Sequence, residues 1–326
     1  MTPIPVVILF GPTASGKTAV LEGLFAREPP LVPAEVVSAD SMQVYRGLDI
    51  GTAKPSAALC RRLPHHLIDI RDIREQWTVG DFVREADRIC EDIYRRGKLP
   101  VVSGGTGFYL KHFVLGLPAA PPSSQTIRDE LKHELAQKGA PALLAQLQAV
   151  DPETASHVHP HDTYRLLRAL EVYRLTGKPL SAYPRYGGNA PRPSYRFLLL
   201  GIHRHRDDLY RRINERVAAM MQAGLSAEVQ RLWQQGYRPG DPGMRAIGYQ
   251  EFFTEEGDLH SDVEQVAALI AQHTRQYAKR QITFFKSLSG VHWISVEEDE
   301  KGFISTIQQK IQDFVGTSSF MPSKVV

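Results

Sequence analysis

The chain has 326 residues, of which 42% are hydrophobic and 23% charged, with a formal net charge of +3 at pH 7. This is an ordinary globular composition, long enough for one large domain with an insertion or for two domains. The two cysteines, Cys60 and Cys90, exclude a disulfide framework and a four-cysteine zinc site, and they favour a reduced setting. No apolar stretch approaches the roughly 18 residues of a membrane span, and the N-terminus lacks the basic region of a signal peptide. We therefore expect a cytoplasmic protein with no membrane attachment.

The first part of the chain alternates apolar strands with helices. Residues Ile4–Phe10 are a continuous apolar run with β-branched residues, which predicts a buried strand. Further strands are predicted at 35–38, 66–70 and 99–103. A helix begins at Thr78, with Asp81 in the position of a capping-box partner. Strand–loop–helix units repeated in this way predict a parallel sheet with helices on both faces.

The pattern changes after residue 118, where prolines become frequent and the segments between them are helical. The clearest helix begins at Asp162 and ends near Gly177. We predict an all-helical insertion at 119–194 between two parts of an α/β core, and a disordered tail. The core comprises 1–118 and 195–316. Its second part contains a strand at 195–202, long helices at 206–236 and 262–289, and a last strand at 291–296. The disordered tail is predicted at 317–326.

A phosphate-binding loop follows the first strand. Its residues, Gly11, Pro12, Thr13, Ala14, Ser15, Gly16, Lys17 and Thr18, fit the pattern G-x-x-x-x-G-K-[ST] between a strand and a helix. The glycines let backbone N–H groups converge on phosphate oxygens, and the helix N-terminus adds partial positive charge. Lys17 can reach phosphate oxygens, and the Thr18 hydroxyl can bind Mg²⁺. The loop predicts a P-loop NTPase-like fold and a bound diphosphate group, without saying which diphosphate.

Two aspartates and a threonine come at predicted strand ends. Asp40 follows one strand and Asp69 follows another, so either carboxylate could be the magnesium aspartate of a P-loop enzyme. Aspartate is also a common turn residue, which leaves a structural role open for both. Thr106 lies in a glycine-rich turn between a strand and a helix, where it could bind an anion, cap the helix or do both.

Basic residues cluster in three segments. In the helix predicted near the C-terminus, Arg275, Lys279 and Lys286 share one face, whereas Ile270, Tyr277 and Phe284 lie on the opposite face. Gln276 and Arg280 flank the basic face, and further basic residues occur at 165–178 and 203–216. A basic face backed by a core face suits a nucleic-acid phosphate track, although a plain solvated helix face is the favoured explanation of a single stripe.

Several stretches together resemble the tRNA dimethylallyltransferase (tRNA isopentenyltransferase) family of bacterial type. They are GPTASGKT at 11–18, SADSMQVYRGLDIGTAKP at 38–55, PHHLID at 64–69, SGGTGFYLK at 103–111, HDTYRLLRALEVYRLTGKPLS at 161–181, RAIGYQE at 245–251 and TRQYAKRQITFFK at 274–286. The match extends from the first strand to about residue 295, and the stretch at 38–55 is far more specific than the phosphate loop.

The resemblance implies transfer of a dimethylallyl group from dimethylallyl diphosphate to N6 of the adenosine at tRNA position 37. This adenosine lies 3′ of the anticodon in tRNAs that read codons beginning with U. Lys17 and Thr18 would hold the diphosphate and Mg²⁺, and Asp40 would take the N6 proton as general base. Thr106 and Arg216 would stabilise the leaving diphosphate. The adenine would be flipped out of its stacked loop to reach the donor.

The resemblance also implies contacts with the tRNA anticodon stem-loop. They map onto Asp40, Ser41, Met42, Gln43, Thr106, Arg128, His161, Asp162, Thr163, Tyr164, Arg165, Arg245, Ala246, Ile247, Gly248, Tyr249 and Gln250. This chain has Gln250 where many members have arginine, and it begins the stretch at 161–165 with His-Asp where bacterial relatives often have Asn-Asp. Nothing in the sequence requires a partner chain, so we expect a monomer.

Three other functions fit parts of the pattern. A prenyltransferase for free adenine nucleotides would resemble this family, but such enzymes lack much of the tRNA-embracing insertion, which is present here. Most P-loops bind ATP or GTP, so a kinase of a nucleoside or other small molecule would explain Lys17, Thr18 and Asp40. That kinase would leave the insertion and the basic helices without a role. A nucleotide-gated RNA-binding protein would explain the basic surfaces, but it would not explain the stretch at 38–55 beside the phosphate loop.

Overall fold

The computed structural model describes residues 2–184, 190–260, 262–296 and 300–316. The chain divides into two compact units, one formed by Met1–Lys111 with Pro193–Val326 and the other by His112–Arg192. We call them the α/β unit and the helical unit. The tail predicted at 317–326 lies outside the described residues.

The α/β unit is built on a parallel sheet of six strands in the order β3-β2-β4-β1-β5-β6. The strands are β1 (Ile4–Phe10), β2 (Ala34–Ser38), β3 (His65–His66), β4 (Leu99–Gly104), β5 (Tyr195–His203) and β6 (Val291–Ser295). Ile8 of β1 lies opposite Val102 of β4 on one side and Leu199 of β5 on the other. Central strands of a parallel sheet are covered on both faces, which is why β1 reads as an unbroken apolar run. The predicted α/β fold with a parallel sheet is confirmed.

Helices cover the sheet and make up the helical unit. They are α1 (Lys17–Phe25), α2 (Ala57–Arg62), α3 (Val79–Arg95), α4 (Gly107–Leu115), α5 (Gln125–Val150), α6 (Pro152–His157), α7 (Thr163–Thr176), α8 (Arg206–Gln222), α9 (Leu225–Gln234), α10 (Val263–Phe285) and α11 (Glu300–Gly316). In the α/β unit, Leu24 of α1 and Ile307 of α11 join Leu200 of β5 in one buried apolar cluster. Thr78 and Asp81 form the expected capping box at the start of α3.

Two predicted elements are wrong in extent. The strand expected at 66–70 stops at His66, because Leu67 and Asp69 have positive φ angles of 63° and 56°, which an extended strand does not accept. The helix expected at 206–236 is two helices, since Gly224 between α8 and α9 has a φ of 95°. Both breaks are local backbone events that hydrophobic periodicity does not record.

The helical unit has its own small core. Leu131 and Leu143 of α5 pack in one cluster with Leu166 of α7. α5 is kinked at Gly139, whose φ of 77° lies outside the helical region, and Pro141 follows within the next turn. No strand occurs in the described residues of this unit.

Candidate active site

The carboxyl ends of three neighbouring strands bring together the phosphate loop, Asp40 and the glycine-rich turn at 104–107, which we call the Gly105 loop. Phe10 at the end of β1 lies opposite Gly104 of β4, and Ser38 of β2 lies opposite Ser103. Ligands of parallel α/β sheets bind at this edge. A cleft of about 470 Å³ in the α/β unit is lined by Thr13, Asp40, Ser41, Met42, Gly51, Thr52, Ala53, Ile213, Arg216, Val217, Met220, Arg245, Ala246, Ile247, Gln250, Ile270, His273, Thr274, Gln276, Tyr277 and Arg280.

The phosphate loop has the backbone that its glycines predict. Gly16 lies in the left-handed region at a φ of 102° and directly precedes α1. A Cβ on Gly11 would stand 2.8 Å from Ser15 Oγ and 3.1 Å from Ile202 Cβ, so glycine is required for this close turn. The loop therefore directs the N-terminus of α1 toward any anion held at the sheet edge.

Lys17 folds back over the loop that precedes it. Its Nζ donates to Gly11 O at 2.9 Å and to Pro12 O at 3.0 Å. Burial and the neighbouring Arg216 charge lower the Lys17 pKa to about 8, against an opposing effect of Asp40. Lys17 is thus largely protonated at neutral pH, and an anionic ligand would favour its charged form.

Two arginines of the β5–α8 region bond the same loop, and a third lines the cleft. Arg204 Nε donates to Ser15 O at 2.8 Å, and Arg212 Nε donates to Ala14 O at 3.0 Å. Arg216, one turn further along α8, lines the cleft, and its pKa is lowered by burial and by Arg212. A positive charge held in a partly desolvated site interacts more strongly with an anion than the same charge in water.

Asp40 is held in a tight turn at the cleft. One of its carboxylate oxygens accepts from Met42 N at 2.9 Å and from Gln43 N at 3.3 Å. Gln43 Nε2 donates in turn to Thr52 O at 3.1 Å. These bonds fix the Asp40 side chain while leaving it on the cleft wall, which is the position that a general base requires.

Thr106 joins the Gly105 loop to the Asp40 turn. Its hydroxyl oxygen accepts from Ser41 N at 3.1 Å, and its own backbone N–H donates to Ala39 O at 3.1 Å. A Cβ on Gly104 would stand 2.2 Å from Ala39 O, so this approach of two strand ends depends on glycine. The predicted site residues Ser41 and Thr106 are therefore in direct contact, and Asp40 immediately precedes Ser41 in the chain.

The second aspartate has a structural partner. Asp69 forms an ion pair with Lys54, whose side chain is only 7% exposed and also bonds Asp49 at 2.7 Å. Asp69 is not among the residues that line the cleft. Of the two aspartates considered as possible magnesium ligands, only Asp40 faces the site, and Asp69 anchors the loop that contains Lys54.

The segment 245–250 contributes to the site in two ways. Arg245, Ala246, Ile247 and Gln250 line the cleft. Tyr249 is fully buried, and its hydroxyl donates to Glu228 Oε1 at 2.6 Å and accepts from Gly51 N at 3.1 Å. Gly248 has a φ of 100° and donates its N–H to buried Glu251 at 2.8 Å. Tyr249 was predicted among the tRNA contacts. In the structure its ring has no exposed surface and instead holds two loops together.

Helix α10 supplies site residues that the sequence reasoning missed. Tyr277 was expected on the core face but lines the cleft, and burial and the Asp40 charge raise its pKa to about 12. Gln281, one turn later, accepts from Thr13 N at 2.9 Å and donates to Gly105 O at 2.7 Å. The sequence signal for these site residues was that Tyr277 and Gln281, four residues apart, place two polar groups on an otherwise apolar helix face.

The helical unit brings together some of the residues expected to contact tRNA. The Arg128 guanidinium lies 5.2 Å from the centroid of the Tyr164 ring, which is 66% exposed. Asp162 caps α7 by accepting from Arg165 N at 3.1 Å. His161 and Thr163 flank this cap, and His161 is exposed. An exposed ring beside cations is suited to stacking on a nucleic-acid base.

No cluster of three or more metal-binding side chains occurs in the ranges that the structure describes. Thr18 is an exposed residue in the first turn of α1, next to the phosphate loop. Mg²⁺ commonly binds through one or two protein oxygens together with substrate phosphates, so a single hydroxyl at this position is compatible with it. Within the same described ranges, no helix has both the length and the apolar character needed to cross a membrane.

Comparisons with known proteins find relatives over most of the chain. The family model described as IPP transferase matches residues 43–288. A tRNA dimethylallyltransferase of Geobacter sulfurreducens is 45% identical over 304 residues, which cover 93% of this chain and 96% of that protein. A tRNA dimethylallyltransferase of Chlorobaculum parvum is 39% identical over 312 residues, which cover 94% of this chain and 98% of that protein.

Solved structures give the same assignment. The tRNA isopentenylpyrophosphate transferase of Bacillus halodurans has a TM-score of 0.66 at 35% identity and covers 96% of this chain and 97% of its own. A eukaryotic dimethylallyltransferase acting on tRNA has a TM-score of 0.77 at 26% identity and covers 98% of this chain and 81% of its own. The resemblance inferred from the sequence motifs is confirmed, and the chain belongs to the IPP transferase family.

Proposed function

We propose that this protein transfers a dimethylallyl group from dimethylallyl diphosphate to N6 of adenosine 37 in tRNA. The acceptor tRNAs are those that read codons beginning with U, and the product is N6-dimethylallyladenosine. The observation that carries the proposal is the contact network that joins Asp40, through Ser41 and Thr106, to the glycine loop beside the phosphate loop. The general base for the acceptor, Asp40, and the binding loop for the donor diphosphate therefore lie at the same edge of the sheet. Relatives that match over almost the whole chain are named tRNA dimethylallyltransferases.

The donor diphosphate binds at the phosphate loop in this proposal. Backbone N–H groups at 16–18, at the α1 N-terminus, face the phosphates, and Lys17 exchanges its bonds to Gly11 and Pro12 for phosphate oxygens. Arg216 meets the charge that develops on the leaving group. Thr18 would hold Mg²⁺ together with diphosphate oxygens, and the ion would supply further charge neutralisation.

The acceptor reacts on the Asp40 side of the cleft. The adenine N6 lone pair attacks the C1 carbon of the prenyl group, and the bond between C1 and the diphosphate oxygen breaks. The N6 proton passes to the Asp40 carboxylate, and the electron pair of the broken bond leaves with the diphosphate. Thr106 stabilises that leaving group through its hydroxyl, which Ser41 N orients. An exocyclic aryl amine is a poor nucleophile, so a fixed carboxylate beside it assists the attack.

Both units contribute residues to tRNA binding in this proposal. Arg245, Ile247 and Gln250 of the α/β unit contact the nucleotides near the flipped adenosine. In the helical unit, Arg128 and Tyr164 contact the anticodon loop, together with 161–165. Base stacking on an exposed ring and phosphate contacts from arginines provide affinity without a preformed base-pairing partner. We expect the protein to act as a monomer in the cytoplasm.

The test is incubation of the purified protein with Mg²⁺, labelled dimethylallyl diphosphate and unmodified tRNA, followed by nucleoside mass spectrometry. The expected result is one prenyl-sized mass gain at adenosine 37, absent from a matched tRNA that carries guanosine there. Transfer of the ATP γ-phosphate to a small acceptor, with no prenylation of tRNA, would favour the kinase instead. Tight RNA binding without either reaction would favour the nucleotide-gated RNA-binding protein.

A further inference from the structure

Helix α10 bonds two loops of the site through a single buried amide. Gln281 is only 6% exposed. Its Oε1 accepts from Thr13 N at 2.9 Å, and its Nε2 donates to Gly105 O at 2.7 Å. One side chain thus joins two glycine loops that are far apart in sequence, and both of its polar atoms have backbone partners.

The second loop is shaped around this amide. A Cβ on Gly105 would stand 2.4 Å from Gln281 Nε2, so only glycine allows the side chain to reach the carbonyl at this distance. Beyond Gly105, Thr106 N donates to Ala39 O and Thr106 Oγ1 accepts from Ser41 N. A continuous hydrogen-bonded path therefore runs from the phosphate loop through Gln281 to the Asp40 turn.

We propose that Gln281 is a positioning residue that sets the separation between the phosphate loop and the Gly105–Thr106 loop. It thereby places the donor diphosphate relative to Thr106 and Asp40. This inference rests on the proposed function, because the distance it sets is the one between a leaving group and the groups that serve its transfer. Misplacement of a reacting group by about 1 Å is enough to cost about 100-fold in rate.

The chemistry of the amide distinguishes this role from simple packing. A leucine fills nearly the same space but offers no partner to Thr13 N–H or to Gly105 C=O. A glutamate keeps an acceptor for Thr13 N–H. Its carboxylate has no hydrogen to donate to the Gly105 carbonyl, so that bond is lost. If volume alone matters, both variants behave like wild type. If the bridge matters, both lose activity.

The experiment compares Gln281→Leu and Gln281→Glu with Gln272→Leu, a matched change at an exposed position of α10 outside the cleft. Steady-state transfer from dimethylallyl diphosphate is measured at varied tRNA, together with binding of inorganic diphosphate by calorimetry. We expect Gln281→Leu to lower kcat by about 10- to 100-fold while the KM for tRNA changes less than about threefold. Diphosphate binding should weaken at least about threefold in the same variant, with Gln272→Leu unchanged in every measurement.

Urea unfolding separates a lost bridge from a lost fold. A folded Gln281→Leu protein with wild-type kcat and wild-type diphosphate affinity would overturn the inference. So would a loss of kcat that merely follows the fraction of unfolded protein. Failure of the proposed function looks different, since the wild-type protein itself would then prenylate no tRNA. In that case, equal diphosphate affinity in wild type and Gln281→Leu would still refute the bridge.

Discussion

The Tyr249 hydroxyl donates a 2.6 Å hydrogen bond to Glu228 Oε1, and both side chains are buried. The same carboxylate accepts from Ile50 N at 3.1 Å, and the same hydroxyl accepts from Gly51 N at 3.1 Å. This pair therefore fixes the backbone that precedes Thr52, which lines the cleft. The pair therefore contributes to the site by holding the backbone of a cleft-lining segment in place.

Tyr249→Phe should destabilise the protein without a direct effect on tRNA contact. The variant removes a hydroxyl that satisfies a buried carboxylate and a backbone N–H, and such a loss costs about 1–3 kcal/mol of unfolding free energy. Urea unfolding measures it, and Tyr164→Phe, at a ring that is 66% exposed, is the matched control with unchanged stability. Wild-type stability combined with weakened tRNA binding would mean that the Tyr249 ring reaches the RNA after all.

The lowered Lys17 pKa predicts that kcat/KM for dimethylallyl diphosphate has a descending limb at alkaline pH. Burial and Arg216 bring the pKa of this amine to about 8 in the free protein, so its charge is lost as pH rises through that value. Because the diphosphate needs the protonated amine, kcat/KM for dimethylallyl diphosphate should fall above about pH 8. Lys17→Arg keeps its charge throughout, so its residual activity should lack this limb. A limb that persists in Lys17→Arg would assign the titration to another group.

The lowered pKa of Lys17 also predicts that its charge destabilises the folded protein at neutral pH. The amine has a lower pKa in the folded state than its ordinary value of 10.5, so the folded state disfavours the charged form. Its unfavourable contribution is complete below about pH 8 and disappears as pH rises toward 10.5. Lys17→Met should therefore be more stable than wild type at pH 7, and the difference should shrink between pH 8 and 10. Urea unfolding at both ends of that range measures it.

Much of the site could be predicted because its motifs are local in sequence. The loop at 11–18 and the turn at 40–43 are contiguous, and the rule for parallel sheets places both at one edge. Gln281 and Tyr277 could not be placed in this way, since their partners Thr13 and Thr106 lie more than 150 residues away and periodicity reports only that a helix face is buried. The role of Asp69 was equally hidden, because its partner Lys54 gives no signal of its own.

Asp40→Asn should separate chemistry from binding more cleanly than alanine would. Asparagine keeps an oxygen that can accept from Met42 N and Gln43 N, so the turn is preserved while the base is lost. Single-turnover prenyl transfer should fall by about 10²- to 10⁴-fold, with tRNA affinity within about threefold of wild type. Asp69→Asn, outside the cleft, is the control that should retain transfer. Normal single-turnover chemistry with lost tRNA binding in Asp40→Asn would overturn the assignment of the base.

Tyr164→Ala should act on tRNA binding alone. The ring is exposed and lies beside the Arg128 guanidinium, and removal of one stacking platform costs about 1–3 kcal/mol of binding, or about five- to 150-fold in Kd. The single-turnover rate at saturating tRNA should stay near that of wild type, because no residue of the donor cradle is altered. Arg128→Ala should weaken binding as well, but with a smaller dependence on salt, since it removes a cation. If Tyr164→Ala binds tRNA normally and both variants show the wild-type salt dependence, these residues do not contact the anticodon loop.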